Sequence, residues 1–527
     1  MKKRYYPTSH QNFEQIITKG LVYVDKTAYF YELLDEEGAL FFSRPRRFGK
    51  SMMISTMKAI YEGKKHLFEG LWIYDKIDWE EVKHPVIHLD FTKVSAQQSL
   101  SKAIALQIDK NAAIYGCHLT EENDAKEKLI ELLEIFAAQG KTAVFLIDEY
   151  DMPLTDALYT PKYEEVVEIL ASFYGALKGA GELLHQVIIT GISKFGQVSL
   201  FSKLSNLTDI SMDEPYMKMC GFTQEELVQY FSEDIKEIAE KLGMSEKKIW
   251  KKIQEEYNGY SWNGKDKLYC PFLIMRFLRH KAFRNYWSDT GTPTLLVKLM
   301  RKEKVLPFDL EEIRASEVSL SQRDIYNIGT VGMLFQTGYL TIKKIKRDAW
   351  GTNYYLSYPN NEVRYAFEQQ IFANYLEKTP EQVDMNYIDK LRRALEINDV
   401  PTFISICQSA FSSIAYQQIA NSDEAAFHAI MHLLVKLTGL RIVPEVPHNI
   451  GRADNIIFMP ERIFILEYKF NGKAADALKQ IIDKNYAQPF ENEGFPFTYV
   501  GINFNSEKRN IDEFDYFPKE LIEKKEE

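Results

Sequence analysis

The chain has 527 residues, of which 45% are hydrophobic and 27% charged, with a net charge of −10. That length exceeds one hydrophobic core and suggests about three domains of ordinary globular composition. The acidic balance argues against a protein that coats nucleic acid, though not against an enzyme that grips it in one groove, and no apolar run nears the roughly 20 residues that cross a bilayer.

The first residues, MKKRYYPTSHQNFEQ, are basic but have no apolar stretch behind them, so no secretory signal is expected. Cys117, Cys220, Cys270 and Cys407 are too scattered for a metal knuckle or a disulfide framework. A reducing, cytoplasmic setting is the expectation, with no membrane partner. GALFFS (38–43) reads as a buried strand, and KSMMISTMKAIYEG as the helix after it. Between them lies SRPRRFGKS. Its Gly49-Lys50-Ser51 ends like a phosphate loop, but Arg44 stands where G-x-x-x-x-G-K-[ST] has its first glycine. Gly49 permits close backbone approach, Lys50 would reach β- and γ-phosphates, Ser51 would hold magnesium, and Arg44, Arg46 and Arg47 would add positive charge. The competing reading is a solvated basic turn.

HPVIHLDF (84–91), KTAVFLIDEYD (141–151) and HQVIITGIS (185–193) read as further strands, apolar without alternation and therefore buried on both faces of a parallel sheet. AVFLIDEYD ends in an acidic pair: Asp148 would hold magnesium and Glu149 would orient or deprotonate the attacking water. A helix N-cap is the alternative. Strand–loop–helix followed by strand–acid pair favours an ATP site. The next strand places Thr190 and Ser193 where a polar residue would sense the γ-phosphate; no arginine finger can be placed.

These stretches carry a family resemblance. YVDKTAYFYELL, FFSRPRRFGKSMMISTMKAIYEGKKHLFEGL, LIDEYD and TGISKFGQVSLFSKLSNLTDIS resemble the AAA-ATPase-like family of bacteria and archaea, as YNGYSWNG and YWSDTGTPTLL do further on. That family carries S-R-P-R-R-F-G-K-S as its own loop and commonly ends in a nuclease-like domain. Relatives of this ATPase class assemble into rings or pairs, so a homo-oligomer is what the resemblance implies.

From residue 221 the pattern turns helical, beginning with GFTQEELVQYF. IYNIGTVGMLFQTG followed by YLTIKKIKR, a turn around Gly351 and NYYLSY reads as a winged-helix-like helix and hairpin, for which a packing role is preferred over base reading. Residues 361–420 are mostly helical. Then come a helix, the hairpin RADNIIFMPERIFILEYKF, the helix AADALKQIIDKNYA and the strand FTYVGINF. A turn at Pro460-Glu461 sets Asp454 opposite Glu467, with Cβ atoms about 4.5–5.5 Å apart, and Lys469 projects from the same face. Two such carboxylates invite a shared divalent ion. Glu424, three residues before Phe427, is expected on or beside the buried stripe of its helix. His428 and His432, spaced i, i+4, read as ordinary helix histidines without a third zinc ligand. A salt-bridged cluster bracing the hairpin is the alternative to a metal site.

Asp454, Glu467-x-Lys469 and Glu424 resemble the PD-(D/E)xK phosphodiesterase superfamily, and Gln480, Lys484 and Tyr486 are similar to the helix after its core. The resemblance implies catalysis by Glu424, Asp454, Glu467 and Lys469, with magnesium, or manganese in its place, on Asp454 and Glu467. The expected fold is α/β: a P-loop domain with a parallel sheet (1–220), a helical and winged-helix-like region (221–365), a helical connector (366–420) and a restriction-endonuclease-like domain (421–515). The expected function is ATP binding and hydrolysis joined to a magnesium-dependent nuclease acting on DNA rather than RNA, in genome defence or mobile-element biology. The rival is a nucleotide-dependent switch or scaffold whose nuclease-like domain binds without cutting.

Overall fold

A computed structural model describes residues 4–519 except 10, 95–98, 159, 195–206, 288–295, 297–298, 301–302, 304–309, 311, 321–328, 349–350, 376–384, 413–423 and 449–450. Most of TGISKFGQVSLFSKLSNLTDIS and YWSDTGTPTLL, and the start of IYNIGTVGMLFQTG, lie outside the described residues. The chain forms two compact units, one of Met1–Thr290 with Glu312–Val363, the other of Gly291–Glu311 with Arg364–Glu527.

In the first unit, β1 (Gly38–Ser43), β2 (Val86–Asp90), β3 (Ala143–Asp148), β4 (Leu184–Gly191) and β5 (Leu207–Asp209) form a parallel sheet in the order β2-β3-β4-β1-β5. All six residues of β3 are buried, because helices cover both faces and leave no polar side to alternate with. The loop after β1, the acidic pair ending β3 and the residues after β4 thus meet at one edge, outside the carboxyl ends of the strands. Helix Lys50–Tyr61 follows the loop and buries Met53, Met57 and Ile60. The short strand β5 was not read from sequence; three residues carry too little pattern.

Helix Gln224–Lys241 opens with a capping box between Thr223 and Glu226, the expected start of the helical region. Beyond it, β6 (Ile313–Ser316), helices Glu317–Leu320 and Thr330–Thr337, and the hairpin β7 (Thr341–Asp348) and β8 (Gly351–Ser357) make a winged-helix-like arrangement with sheet order β6-β8-β7. Residues 361–412 hold helices Asn361–Tyr375, Met385–Glu396 and Val400–Ser412.

In the second unit, β9 (Arg441–His448), β10 (Gly451–Phe458), β11 (Ile463–Phe470), β12 (Phe497–Asn505) and β13 (Asn510–Lys519) form a mixed sheet, β13-β12-β11-β10-β9. The β10–β11 hairpin has the expected register: Asn455 pairs with Leu466 and Phe458 with Ile463. Met459 N donates to Arg462 O at 2.9 Å, placing Pro460 and Glu461 in the turn. Helix Ala474–Asp483 crosses over to β12, which runs parallel to β11. Its approach is close. A Cβ on Gly501, in β12, would lie 2.3 Å from Ala474 O. Among the described residues no helix is long and apolar enough to cross a membrane.

Candidate functional sites

Gly49 caps helix Lys50–Tyr61 with φ 102°, and Arg47 also has a positive φ, 66°. This left-handed backbone turns the loop so that the first amides of the helix face its mouth. Lys50 is buried and points back into the loop. Its ammonium donates to Arg44 O (3.0 Å) and Pro45 O (3.3 Å) and pairs with Glu149 at 3.1 Å. Arg46 and Arg47 are exposed, and Arg47 lies over the Phe272 ring.

Arg44 does not join them. It is 1% exposed, and its guanidinium donates to Ser43 O and Ser211 O at 2.8 and 2.7 Å. The rings of Phe42 and Trp262 lie 4.3 and 4.0 Å from it. The expectation that Arg44 adds charge for a phosphate is therefore corrected: it is turned into the core, where burial lowers its pKa to about 9. It braces the loop from behind.

Asp148 is buried and accepts hydrogen bonds from Ser51 and from Thr190 Oγ1, the latter at 2.7 Å. Burial, and then the charge of Glu149, raise its pKa. Glu149 has φ 54°, and its Oε2 is buried without a hydrogen-bond partner. Lys50, Ser51, Asp148 and Glu149 therefore meet as the sequence implied. Ser193 is fully buried and clasped by Asp151, whose Oδ2 accepts from Ser193 Oγ at 2.6 Å and Ser193 N at 2.9 Å. Sequence reasoning passed over Asp151; its signal was a third acid two residues beyond the pair. Next to the loop opens a cavity lined by Val24, Phe30, Met53, Met219, Phe222 and Met275, with Lys26 and Glu149 among its polar walls. An apolar cleft flanking an anion-binding loop suits a nucleoside.

In the second unit Glu467 is 4% exposed and its Oε2 is without a partner. Its pKa is raised to about 8, first by burial and then by the charge of Asp454. Asp454 Oδ2 accepts from Tyr468 N at 2.6 Å. Lys469 Nζ lies 3.6 Å from Glu467 and donates to Gln480 Oε1 at 2.8 Å. Gln480 Nε2 in turn donates to Glu467 Oε1 and to Tyr486 OH. The close packing at Gly501 is what lets helix Ala474–Asp483 bring Gln480 to β11.

Among the described residues no group of three or more His, Cys, Asp or Glu side chains is arranged to hold a metal ion. The buried Glu467 and the half-buried Asp454 nevertheless fit magnesium, which keeps several waters and is bound through one or two carboxylates. A cation between Asp454 and Glu467 would satisfy the orphaned oxygen and remove the repulsion that raises the Glu467 pKa.

Glu424 departs from expectation. It opens helix Glu424–Leu437, and its side chain is 57% exposed, since it precedes the first buried turn instead of lying within it. His428, set aside as an ordinary helix residue, is the one that faces the carboxylates: it lies 4.0 Å from Asp454 and 3.8 Å from Glu424. Burial first and Lys469 second lower its pKa to about 4, so the ring is neutral at pH 7. The i, i+4 spacing from Glu424 was its signal. His432 is buried against Asn455 Oδ1 at 3.2 Å, a structural role.

Comparison with known proteins follows this division. Residues 7–201 match the family described as "Predicted AAA-ATPase", and residues 422–514 match the PD-(D/E)XK nuclease superfamily. A protein of Azotobacter chroococcum mcd 1, described as "Uncharacterized protein in vnfD 5'region", is 32% identical over 97% of this chain and 98% of its own length. The chain belongs to the predicted AAA-ATPase family. The parallel sheet and its loop form the P-loop domain of this family member, and the mixed sheet forms its PD-(D/E)XK nuclease-superfamily domain. Two solved structures from Aeropyrum pernix are weakly similar: the ORC1 protein in complex with DNA (11% identity, TM-score 0.27) and the ORC2 protein (10%, 0.25). Each alignment covers 66% of this chain and 92% of the other. Those superpositions are too loose to bear on function.

Proposed function

We propose that this protein binds and hydrolyses ATP and that its C-terminal domain is a magnesium-dependent nuclease acting on DNA, with the nucleotide state positioning or licensing the cut. The observation that carries the reading is that the charge of Asp454 acts on the buried Glu467, one of whose carboxylate oxygens is unsatisfied, with Lys469 held beside it by Gln480. Magnesium, or manganese, held by Asp454 and Glu467 would supply Lewis-acid polarisation of a phosphodiester oxygen. Lys469, fixed by Gln480, would position the attacking water or meet the charge that develops on the phosphate. Glu424 and the neutral His428 would hold water at the open side.

In the ATP site Lys50 would exchange its contacts to the Arg44 and Pro45 carbonyls for phosphate oxygens, releasing Glu149 to orient water. Ser51 and Asp148 would hold magnesium. Gly49 would admit the phosphates, and Arg46 and Arg47 would add charge at the mouth. Ser193 would report the γ-phosphate through its clasp with Asp151. The four-part division of the chain, a cytoplasmic location (supported by four free cysteines), homo-oligomerisation and a role in genome defence or mobile-element biology belong to the same proposal.

The second reading, a nucleotide-dependent switch whose nuclease-like domain binds without cutting, is favoured by the exposure of Glu424, which leaves two carboxylates at the centre. One experiment separates them: circular single- and double-stranded DNA is incubated with magnesium or manganese, with and without ATP. Cutting that is lost in Asp454→Ala, and made insensitive to ATP in Lys50→Ala, is the expected result. ATP turnover with no cutting of any substrate would sink the nuclease reading in favour of the switch.

A further inference from the structure

The winged-helix-like sheet has a face that neither site uses. Residues paired across an antiparallel sheet project from the same side. Tyr355 pairs with Arg314 on one neighbouring strand and Lys344 on the other; Asn353 pairs with Ser316 and Lys346. Two rows therefore cross all three strands, Arg314–Tyr355–Lys344 and Ser316–Asn353–Lys346. The opposite face carries Ile342, Tyr354, Leu356 and Ala315, which are buried. A bulge at Lys343 is what turns Lys344 and Lys346 outward together, because it shifts the register between Ile342 and Lys344.

The rows are tied to one another. Arg314 Nε donates to Asn353 Oδ1 at 2.9 Å, and Lys346 Nζ sits 5.0 Å over the Tyr355 ring. The loop 261–267 adds charge along the free edge of β7. Ile342 N donates to Ser261 O at 3.2 Å, and a Cβ on Gly264 would lie 3.2 Å from Lys344 Cα, so Lys265 and Lys267 flank the rows. The Lys343 ammonium is tucked against Pro359 O at 2.9 Å, although the residue as a whole is exposed. Burial first and the charge of Lys267 second lower its pKa to about 8. Two of the acids nearby are engaged: Asp348, at the hairpin tip, accepts from Asn353 Nδ2 at 2.9 Å, and Asp266 pairs with Lys218 at 2.9 Å; Glu312 and Glu317 flank β6 and are exposed.

We propose that this face docks the phosphate backbone of a polynucleotide, with Arg314, Lys344, Lys346, Lys265 and Lys267 following the phosphates and Tyr355 and Asn353 between them offering a ring and an amide to bases or sugars. On a chain of net charge −10 such a cluster must be maintained against the overall potential. An anionic membrane would match the charge, but the two rows hold no aliphatic side chain to enter it. The inference rests on nucleic acid being the substrate, and it does not depend on cleavage.

The test is binding of short fluorescent DNA, duplex and single-stranded, to the full chain in EDTA without divalent metal, titrated between 50 and 200 mM salt. Wild type is compared with Arg314→Ala/Lys344→Ala/Lys346→Ala and with Lys247→Ala/Lys248→Ala/Lys251→Ala, which removes equal charge from the exposed side of helix Glu246–Tyr257. If each of the three cations meets one phosphate, the log–log salt slope on duplex should shallow by about 2.7 in the first variant. Wild type would then lose roughly fortyfold more affinity over that range than the variant. The control should keep the wild-type slope.

Lys344→Gln/Lys346→Gln, which removes the charge but keeps a long polar side chain, should shallow the slope by about 1.8 on duplex and guards against a folding defect, read from the thermal midpoint. An unchanged slope in both face variants, an equal loss in the control, or preference for phosphatidylserine vesicles over DNA would overturn the proposal. Because metal is absent, failure of docking is distinguishable from failure of the nuclease reading, which the cleavage assay reports separately.

Discussion

Arg44 occupies the place that an ordinary phosphate loop gives to glycine, and the structure shows why it can. Its main-chain oxygen receives Lys50 while its side chain leaves the loop entirely and fills a slot between Phe42 and Trp262. Removing the guanidinium strands the carbonyls of Ser43 and Ser211 in a buried setting. Arg44→Met should therefore cost on the order of 3 kcal/mol, and Arg44→Lys should not restore it, since a single ammonium cannot span the fork of acceptors. Denaturant unfolding measures the loss, and a nucleotide titration should show weakened binding in parallel. A variant as stable as wild type would remove the bracing role. The carboxylates divide by the same logic of environment: Asp148 and Asp151 are held by donors, whereas Glu149 and Glu467 each keep one buried oxygen without a partner. The unsatisfied pair stands where chemistry is proposed.

The winged-helix-like region packs closely behind the phosphate loop. Gly338 ends helix Thr330–Thr337 with φ 87°, and a Cβ there would lie 2.6 Å from Pro45 Cβ. Phe48 stacks edge-on against Tyr260 and Trp262 from the same side. Gly338→Ala should combine left-handed backbone strain of about 1 kcal/mol with displacement of Pro45. The expected outcome is a lower thermal midpoint together with weaker nucleotide binding. Gly439→Ala is the control: its φ is 74°, but a Cβ meets nothing within 4 Å. It should show a modest loss of stability and unchanged nucleotide binding. Equal nucleotide affinity in both variants would mean that the helix end does not hold the loop. The contact to Pro45 also gives the packing role preferred from sequence a definite place.

At the scale of the molecule, each compact unit carries one candidate site. The second has its own core, built from residues such as Ile456, Ile465, Ile481 and Tyr499. Calorimetry should therefore show two unfolding transitions. Magnesium-ATP at a hundred times its Kd should stabilise only the one belonging to the first unit, by about 2.7 kcal/mol, and Lys50→Ala should abolish that shift. A single transition, or a shift shared by both, would show that the units do not unfold independently.

Local pattern determined much of this protein. Unbroken apolar runs marked β1 to β4 because a strand covered on both faces needs no alternation, and the spacing about Pro460-Glu461 set the register that opposes Asp454 to Glu467. Short or edge strands, β5, β6, β9 and β13, left too weak a pattern to be read. Tertiary structure decided which side of a backbone each charged group took. Arg44 and the neighbouring arginines look alike in sequence, yet one is drawn inward by four carbonyls and two rings from residues 42–262. His428 gained its place beside Asp454, and Glu424 its exposure, from where the helix begins relative to the sheet. Such choices depend on neighbours distant in the chain, and the energies of burial and pairing that settle them exist only once those neighbours have met.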